Sequence, residues 1–344
     1  MNKKNFPSPK KILFINNKGG VGKSSISFNV ACKFAEIGYK TCIVDLDPQC
    51  NLTMYAVGNL KQKDNYELFN EDYKNQKSKS IYEIISPQLE GESDILEEKP
   101  KEIKPNLFLI QGDLSMSLYE DSATNAFGQA TNGQTLGFRI ITAVDRYINY
   151  IGREMEIDIF IIDTSPSLGM MNRLFLLGTD YFVVPVLSDA FSFQGIENLG
   201  KTLTKWKDNW KTIKQIAKTN NINSKFLLDG DPKFLGYISN KWKPYDKKQT
   251  KAQEYWAKKI EESIEPSLSK HSINGDNQNP KLAQLRDYGT IIGKSQEANK
   301  AIFQLEKKDT TQINLDGTKQ LFEKSNEEFK NLAESIIDKI SNKY

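Results

Sequence analysis

Histidine is almost absent: His271 stands alone among 344 residues. A single imidazole excludes metal sites built on a histidine pair and argues against a histidine-based nucleophilic triad. Cysteine is scarce as well. Cys32, Cys42 and Cys50 form no C-x-x-C and no paired metal spacing, so they read as free thiols in a reducing cytosol. Long apolar runs are missing. After Lys3, Lys4, Lys10 and Lys11 the apolar stretch Ile12–Ile15 lasts four residues, too short for a signal peptide or a membrane span. A cytoplasmic chain is expected. Charge of one sign is also lacking: 47 Lys and Arg against 44 Asp and Glu give +3, which by itself calls for no polyanionic partner. Only the distribution is uneven. Residues 201–260 hold fifteen Lys against five acids, whereas 61–100 hold six Lys against ten. One region is basic and another acidic.

Against this background one stretch carries clear chemistry. The apolar run Lys11–Ile15 leads into Asn16-Asn17-Lys18-Gly19-Gly20-Val21-Gly22-Lys23-Ser24-Ser25, and a helix-period segment from Ser24 to Ile37 follows at once. Strand, glycine-rich turn and helix in that order aim successive backbone N–H groups at one anion, as a phosphate-binding loop requires. Lys23 would reach the β- and γ-phosphates and Ser24 the Mg²⁺. The first position of the usual G-x-x-x-x-G-K-[ST] pattern is Asn17, which tolerates positive φ better than most residues. Lys18 is superfluous to such a cradle and needs a separate role.

Further along, Lys40–Val44 is a short β-rich run ending in Asp45 and Asp47, whose side chains alternation sends the same way. Ile157–Ile162 is an apolar strand ending in Asp163, placed to hold Mg²⁺ through water. Strands are also expected at 107–110, 181–187 and 234–240, and helices at 137–151, 169–178, 194–218, 248–265, 294–308 and 317–341. Residues 1–9 form a short tail. Residues 10–310 form one phosphate-loop domain with a polar insertion at about 58–105, which carries a short helix near Ile81–Ile85. Residues 311–344 supply a helix packed on that domain. Residues 114–135 read as a loop or a helix, which the pattern leaves unplaced. The alternation predicts an α/β fold: a twisted, mostly parallel sheet with helices on both faces. Trp206 and Trp210, spaced i, i+4, read as core.

With these motifs in place, the chain resembles the ParA/MinD group of deviant Walker A ATPases, and most closely its ParA-type partition proteins. Asn17–Ser24 resembles the group's K-G-G-x-G-K-[ST], Asp45–Thr53 its D-x-D-P-Q-x-N, and Phe160–Gly169 its Walker B and switch segment. Pro185–Asp189, Gly195–Leu199 and, more loosely, Leu282–Gly289 also fit. The resemblance implies a phosphate-loop NTPase fold of the deviant Walker A type, ATP and Mg²⁺ as cofactors, and a homodimer closed by ATP. It implies ATP contacts from Lys18, Gly19, Gly20, Val21, Gly22, Lys23, Ser24 and Ser25, with Asn240 reading adenine. Lys18 would act on the partner's phosphates, Lys23 on its own, and Asp47 would orient the attacking water. Ser24, Asp45 and Asp163 would support Mg²⁺. Cys50 departs from the group's usual Gly and Ser165 from its frequent Pro.

The function so implied is a slow ATP-hydrolysing switch that binds DNA nonspecifically as a dimer and positions a DNA or protein cargo. Hydrolysis would be stimulated by a ParB-like or other adaptor. Lys241, Lys243, Lys247, Lys248, Arg286 and Lys294 are the candidate DNA-binding residues, and the location is cytoplasmic and nucleoid-associated. With about sixteen residues ahead of the loop, no helix-turn-helix module is expected there. A membrane-cycling, MinD-like ATPase is the alternative, but Glu323, Glu327, Glu328, Glu334 and Asp338 break up the cationic face such an anchor needs. No stable membrane association is expected. An ATP-dependent metabolic enzyme would need substrate residues that the sequence does not display.

Overall fold

The computed structural model describes residues 3–58, 78–242, 251–273, 279–310 and 315–341. Eight strands form one sheet in the order β3-β4-β2-β5-β1-β6-β7-β8. They are β1 (Lys10–Phe14), β2 (Thr41–Asp45), β3 (Lys101–Lys104), β4 (Leu107–Ile110), β5 (Ile159–Asp163), β6 (Tyr181–Val186), β7 (Lys233–Trp242) and β8 (Lys281–Arg286). Every pairing is parallel except that of β3 with β4. The central strands are buried end to end, the pattern of a sheet covered on both sides.

Among the described residues eleven α-helices cover the sheet: α1 (Lys23–Glu36), α2 (Asn51–Val57), α3 (Ile81–Leu89), α4 (Met116–Thr131), α5 (Thr135–Ile141), α6 (Ala143–Glu154), α7 (Met170–Gly178), α8 (Ala190–Thr219), α9 (Lys251–Leu268), α10 (Ile291–Glu297) and α11 (Leu315–Ser341). Alternation along β1 divides the core. Leu13 faces one cluster with residues of α3 to α9, while Ile12 and Phe14 face the other with α1, α2, α10 and α11. Trp206 and Trp210 are buried in the first cluster.

Local chemistry accounts for most element ends. Gly38, at φ +96°, closes α1, with its own N–H donating to the Ala35 carbonyl and that of Tyr39 to Phe34. Ser80 and Glu83 form a capping box on α3. Two expected helices need correction, and one unplaced stretch is resolved. Residues 114–135 are largely helix α4, and the expected 137–151 helix is two helices broken at Thr142, whose hydroxyl donates back to the Phe138 carbonyl at 2.7 Å. The expected 294–308 helix stops at Glu297 and continues as 3₁₀ turns at Ile302–Gln304 and Lys307–Thr310. The loose motif at Leu282 contains the edge strand β8, and the expected 58–105 insertion contains β3; residues 59–77 of it lie outside the described residues.

Register sets up the site. Phe14 and Asp45 both pair with Asp163. The loops leaving β1, β2 and β5 therefore emerge side by side at the carboxyl edge, where open α/β sheets hold ligands.

Candidate nucleotide site

The loop after β1 is anchored from below. Asn16 is buried; its Nδ2 donates to the Pro185 carbonyl at 2.7 Å and its Oδ1 accepts from the Lys18 N–H at 2.9 Å. Gly22 starts α1 at φ +89° with no side-chain cap, so the first N–H groups of the helix are left for an anion. A Cβ on Gly22 would stand 2.4 Å from Asn240 Nδ2 in a backbone region that L side chains avoid. Lys23 curls back over the loop, with Nζ donating to the Asn16 carbonyl at 3.2 Å. Burial pulls its pKa down, opposed by the nearby Asp163 and Asp47.

Three carboxylates sit behind the loop, and they differ in what they hold. Asp45 is fully buried and saturated: its Oδ2 accepts from the Thr53 N–H (2.8 Å) and hydroxyl (2.7 Å), and its Oδ1 from the Asp47 N–H (3.2 Å). Burial raises its pKa to about 6 despite these bonds. Such an anion pins the 47–53 turn onto β2 and offers little to a metal. Thr53 also accepts from the Gly112 N–H at 2.9 Å, tying the turn to the β4 edge. Asp47 is buried and its Oδ1 caps the Gln49 N–H at 3.0 Å. Cys50 takes the left-handed conformation at φ +53°, a region that glycine enters more readily.

Asp163 is the opposite case. Both its oxygens are buried and neither meets a donor at hydrogen-bonding geometry. Burial, with Asp45 adding to it, raises its pKa to about 8, while the Ser24 hydroxyl and Lys23 favour the anion. A buried, unsatisfied carboxylate beside a serine hydroxyl fits a hydrated Mg²⁺. Among the described residues no cluster of three acidic, His or Cys ligands exists. Ser24 and Asp163 would hold the cation together with phosphate oxygens and water, the arrangement Mg²⁺ prefers.

The folded-state pKa of Asp163 lies above its ordinary 3.8, so its ionisation opposes folding. That contribution to stability is complete in acid and is lost as pH rises from about 4 to about 8. Asp163→Asn is therefore expected to raise the melting temperature of nucleotide-free protein at pH 8, with the difference vanishing towards pH 4, while nucleotide binding loses its Mg²⁺ dependence. Thermal melts at the two pH values and titrations with and without Mg²⁺ check this.

Lys18 points elsewhere. Its ammonium pairs with Asp189 and lies 5.6 Å from the Phe191 ring centre. Asp189 caps α8 through the Ser192 N–H at 2.9 Å. Although burial opposes it, the bond from Lys18 holds the Asp189 carboxyl below the usual range. Phe191 is 71% exposed, the most open of the large apolar side chains among the described residues. From the other flank of the loop a cleft of about 240 Å³ opens, lined by Gly20, Gly22, Asn240, Lys241, Tyr288 and Phe329 among others.

Residues 9–218 match a family model described as an AAA domain (AAA_31). The chain is 30% identical over 236 residues to an uncharacterized protein of Methanocaldococcus jannaschii, covering 69% of this chain and 74% of the other. It is 28% identical over 191 residues to a virulence plasmid ParA family protein of Chlamydia psittaci, covering 55% of this chain and 61% of that relative. The crystal structure of DIP2308 from Corynebacterium diphtheriae superposes with a TM-score of 0.65 at 30% identity, covering 84% of this chain and 97% of the other. The chain belongs to the ParA/MinD group of deviant Walker A ATPases.

For a ParA-type chain, the structure shows several partners that sequence reasoning passed over. Glu120 of α4 accepts from the Met170 and Met171 N–H groups at 2.6 and 3.1 Å, capping the helix after the Ser165–Gly169 turn. Asn172 gathers that turn, donating to the Ser165 and Ser167 carbonyls at 2.8 Å each. Nothing in the local pattern singles out either residue, because both act across the fold. Asp189 and Thr53 lay inside quoted motifs, and their partners mark them only in three dimensions.

Of the candidate DNA-binding residues, Lys241, Arg286 and Lys294 lie among the described residues. Arg286 is bound to Glu328 at 2.6 Å and Lys294 to Glu297 at 2.8 Å, so both charges are answered within the fold. Lys241 is exposed at the end of β7, and Lys243, Lys247 and Lys248 lie outside the described residues. Exposed cations instead line α8, at Lys201, Lys205, Lys211, Lys214 and Lys218, with Lys211 paired to Asp208. Asn240 Nδ2 donates to the Val21 carbonyl at 2.8 Å, so it braces the loop at the edge of the cleft.

Proposed function

We propose that the chain is an ATP-hydrolysing switch that dimerises with ATP and, as a dimer, binds DNA nonspecifically to position a DNA or protein cargo. The observation that carries this reading is the direction of Lys18. Lys23 lies over its own phosphate loop, whereas Lys18 is held on the rim by Asp189 beside the exposed Phe191. A cation on the rim of its own loop is placed to serve a second copy of the site.

In this reading the N–H groups of Gly19 to Ser25 receive the phosphates, and Lys23 leaves the Asn16 carbonyl for the β- and γ-phosphates. Ser24 and Asp163 would hold Mg²⁺, which would supply neutralisation of the charge developing on the transferring phosphoryl group. Asp47, fixed by the turn that Asp45 locks, orients the attacking water. Asp45 thus acts through position and not as a metal ligand. Lys18 of the second copy stabilises the transition state from across the interface. An adaptor would raise the rate by ordering the switch that Asn172 and Glu120 hold.

Analytical ultracentrifugation with and without ATP and Mg²⁺ tests the central step: a monomer in both conditions would refute it. Retention on DNA of arbitrary sequence should require ATP and weaken about a hundredfold between 50 and 200 mM salt for four phosphate contacts. Binding that ignores both salt and nucleotide would count against the mechanism. The membrane reading is disfavoured by one observation. Phe329, Leu332, Ile336, Ile337 and Ile340 of α11 are buried in the second core cluster, not offered to a lipid surface. Among the described residues no helix is long and apolar enough to cross a membrane.

A further inference from the structure

We infer that the C-terminal helix α11 is a working wall of the nucleotide site, and that Glu328 is a positioning residue for the base-side cleft. This rests on the nucleotide reading of the phosphate loop. Helix α11 lies outside the span matched by the family model and outside the motifs that announce the site. It nevertheless reaches the cleft that opens from Gly20 and Gly22, where Phe329 lines the wall together with Tyr288.

Two neighbouring residues of α11 build that wall. Phe329 stacks on the Tyr288 ring, with centroids 6.1 Å apart and planes inclined by 20°. Glu328 gathers the strand end that carries Tyr288. Its Oε1 accepts from Arg286 Nε at 2.6 Å, and its Oε2 accepts from the Arg286 N–H at 3.3 Å and the Tyr288 hydroxyl at 2.5 Å. Arg286 and Glu328 are each only 17% exposed, and a pair this sheltered orders its surroundings more than a surface pair does. The carboxylate therefore fixes the height and tilt of Tyr288, and Tyr288 with Phe329 forms a flat apolar wall suited to the face of an aromatic base. Because the phosphate loop and α11 line one cleft, a nucleotide that touches both makes its binding and α11 docking favour each other by the same factor.

The test compares ATP with inorganic tripolyphosphate, which keeps the phosphates and lacks the base. Glu328→Gln keeps the shape and removes the charge that answers Arg286. It is expected to raise the Kd for ATP about tenfold, the scale of one lost charge-assisted hydrogen bond, and to leave that for tripolyphosphate within about twofold. Phe329→Leu, which keeps an apolar side chain and removes the flat ring, is expected to act in the same direction. In the unaltered protein ATP should slow amide exchange across residues 321–341 and tripolyphosphate should not. Equal effects on both ligands, or no effect of either substitution on ATP, overturn the inference while sparing the nucleotide reading. Failure of the unaltered protein to bind either ligand overturns the reading itself.

Discussion

Asp47→Ala is expected to stop ATP turnover, lowering it by at least about a hundredfold, the range set by losing a positioned acid–base group, while leaving the ATP-dependent dimer intact. Asp47 is buried at the end of the strand that delivers it, and its backbone is pinned by Asp45. The change removes a carboxylate without removing any N–H of the phosphate loop. Steady-state phosphate release and sedimentation with ATP measure the two halves separately. If the dimer disappears together with hydrolysis, Asp47 is holding the nucleotide and its assignment to water is wrong. Thr53→Val provides the companion measurement. It strips Asp45 of one of its three bonds and removes the Thr53 hydroxyl that accepts from the Gly112 N–H at 2.9 Å. A loss of about 1–3 kcal/mol in stability is expected from the two hydrogen bonds given up. Turnover should fall while the Kd for ATP holds, and Thr53→Ser should restore both stability and turnover.

Lys18→Ala is expected to abolish the ATP-dependent dimer and to lower turnover by about a thousandfold, as loss of a cation supplied across an interface does. ATP binding by the monomer should stay within about threefold. Lys23→Ala, by contrast, should abolish ATP binding at the outset, because its ammonium lies over its own loop. The sharper form of the experiment mixes two inactive chains. In a mixed dimer of Lys18→Ala with Asp47→Ala, the nucleotide on the Lys18→Ala chain meets an intact Asp47 of its own and an intact Lys18 from its companion. Turnover should therefore reappear on mixing. Two chains that stay inactive together, though they dimerise, would show that Lys18 works within its own subunit. Release from Asp189 is part of the cost of that reach, since a charge-assisted bond must be exchanged for the phosphate contact.

Much of this was legible in one dimension. The phosphate loop, the strands ending in Asp45 and Asp163, and the alternation of strand and helix follow from local rules: glycine where the backbone must turn, apolar runs where a strand is covered on both faces, and a helix start where an anion is wanted. Those rules involve residues near one another in the chain, so the sequence determined the fold class and the chemistry of the loop. It could not rank the three carboxylates. Asp45 and Asp163 look alike as strand-terminal acids, and only the tertiary structure gives one three donors and the other none. Nor could it tell a free cation from an answered one: Arg286 reads as part of a basic face until Glu328, 42 residues away, is folded against it. Charge, burial and hydrogen-bond partners are properties of a neighbourhood, and at this site α11, Asp189 and Thr53 reach theirs only when the chain closes on itself.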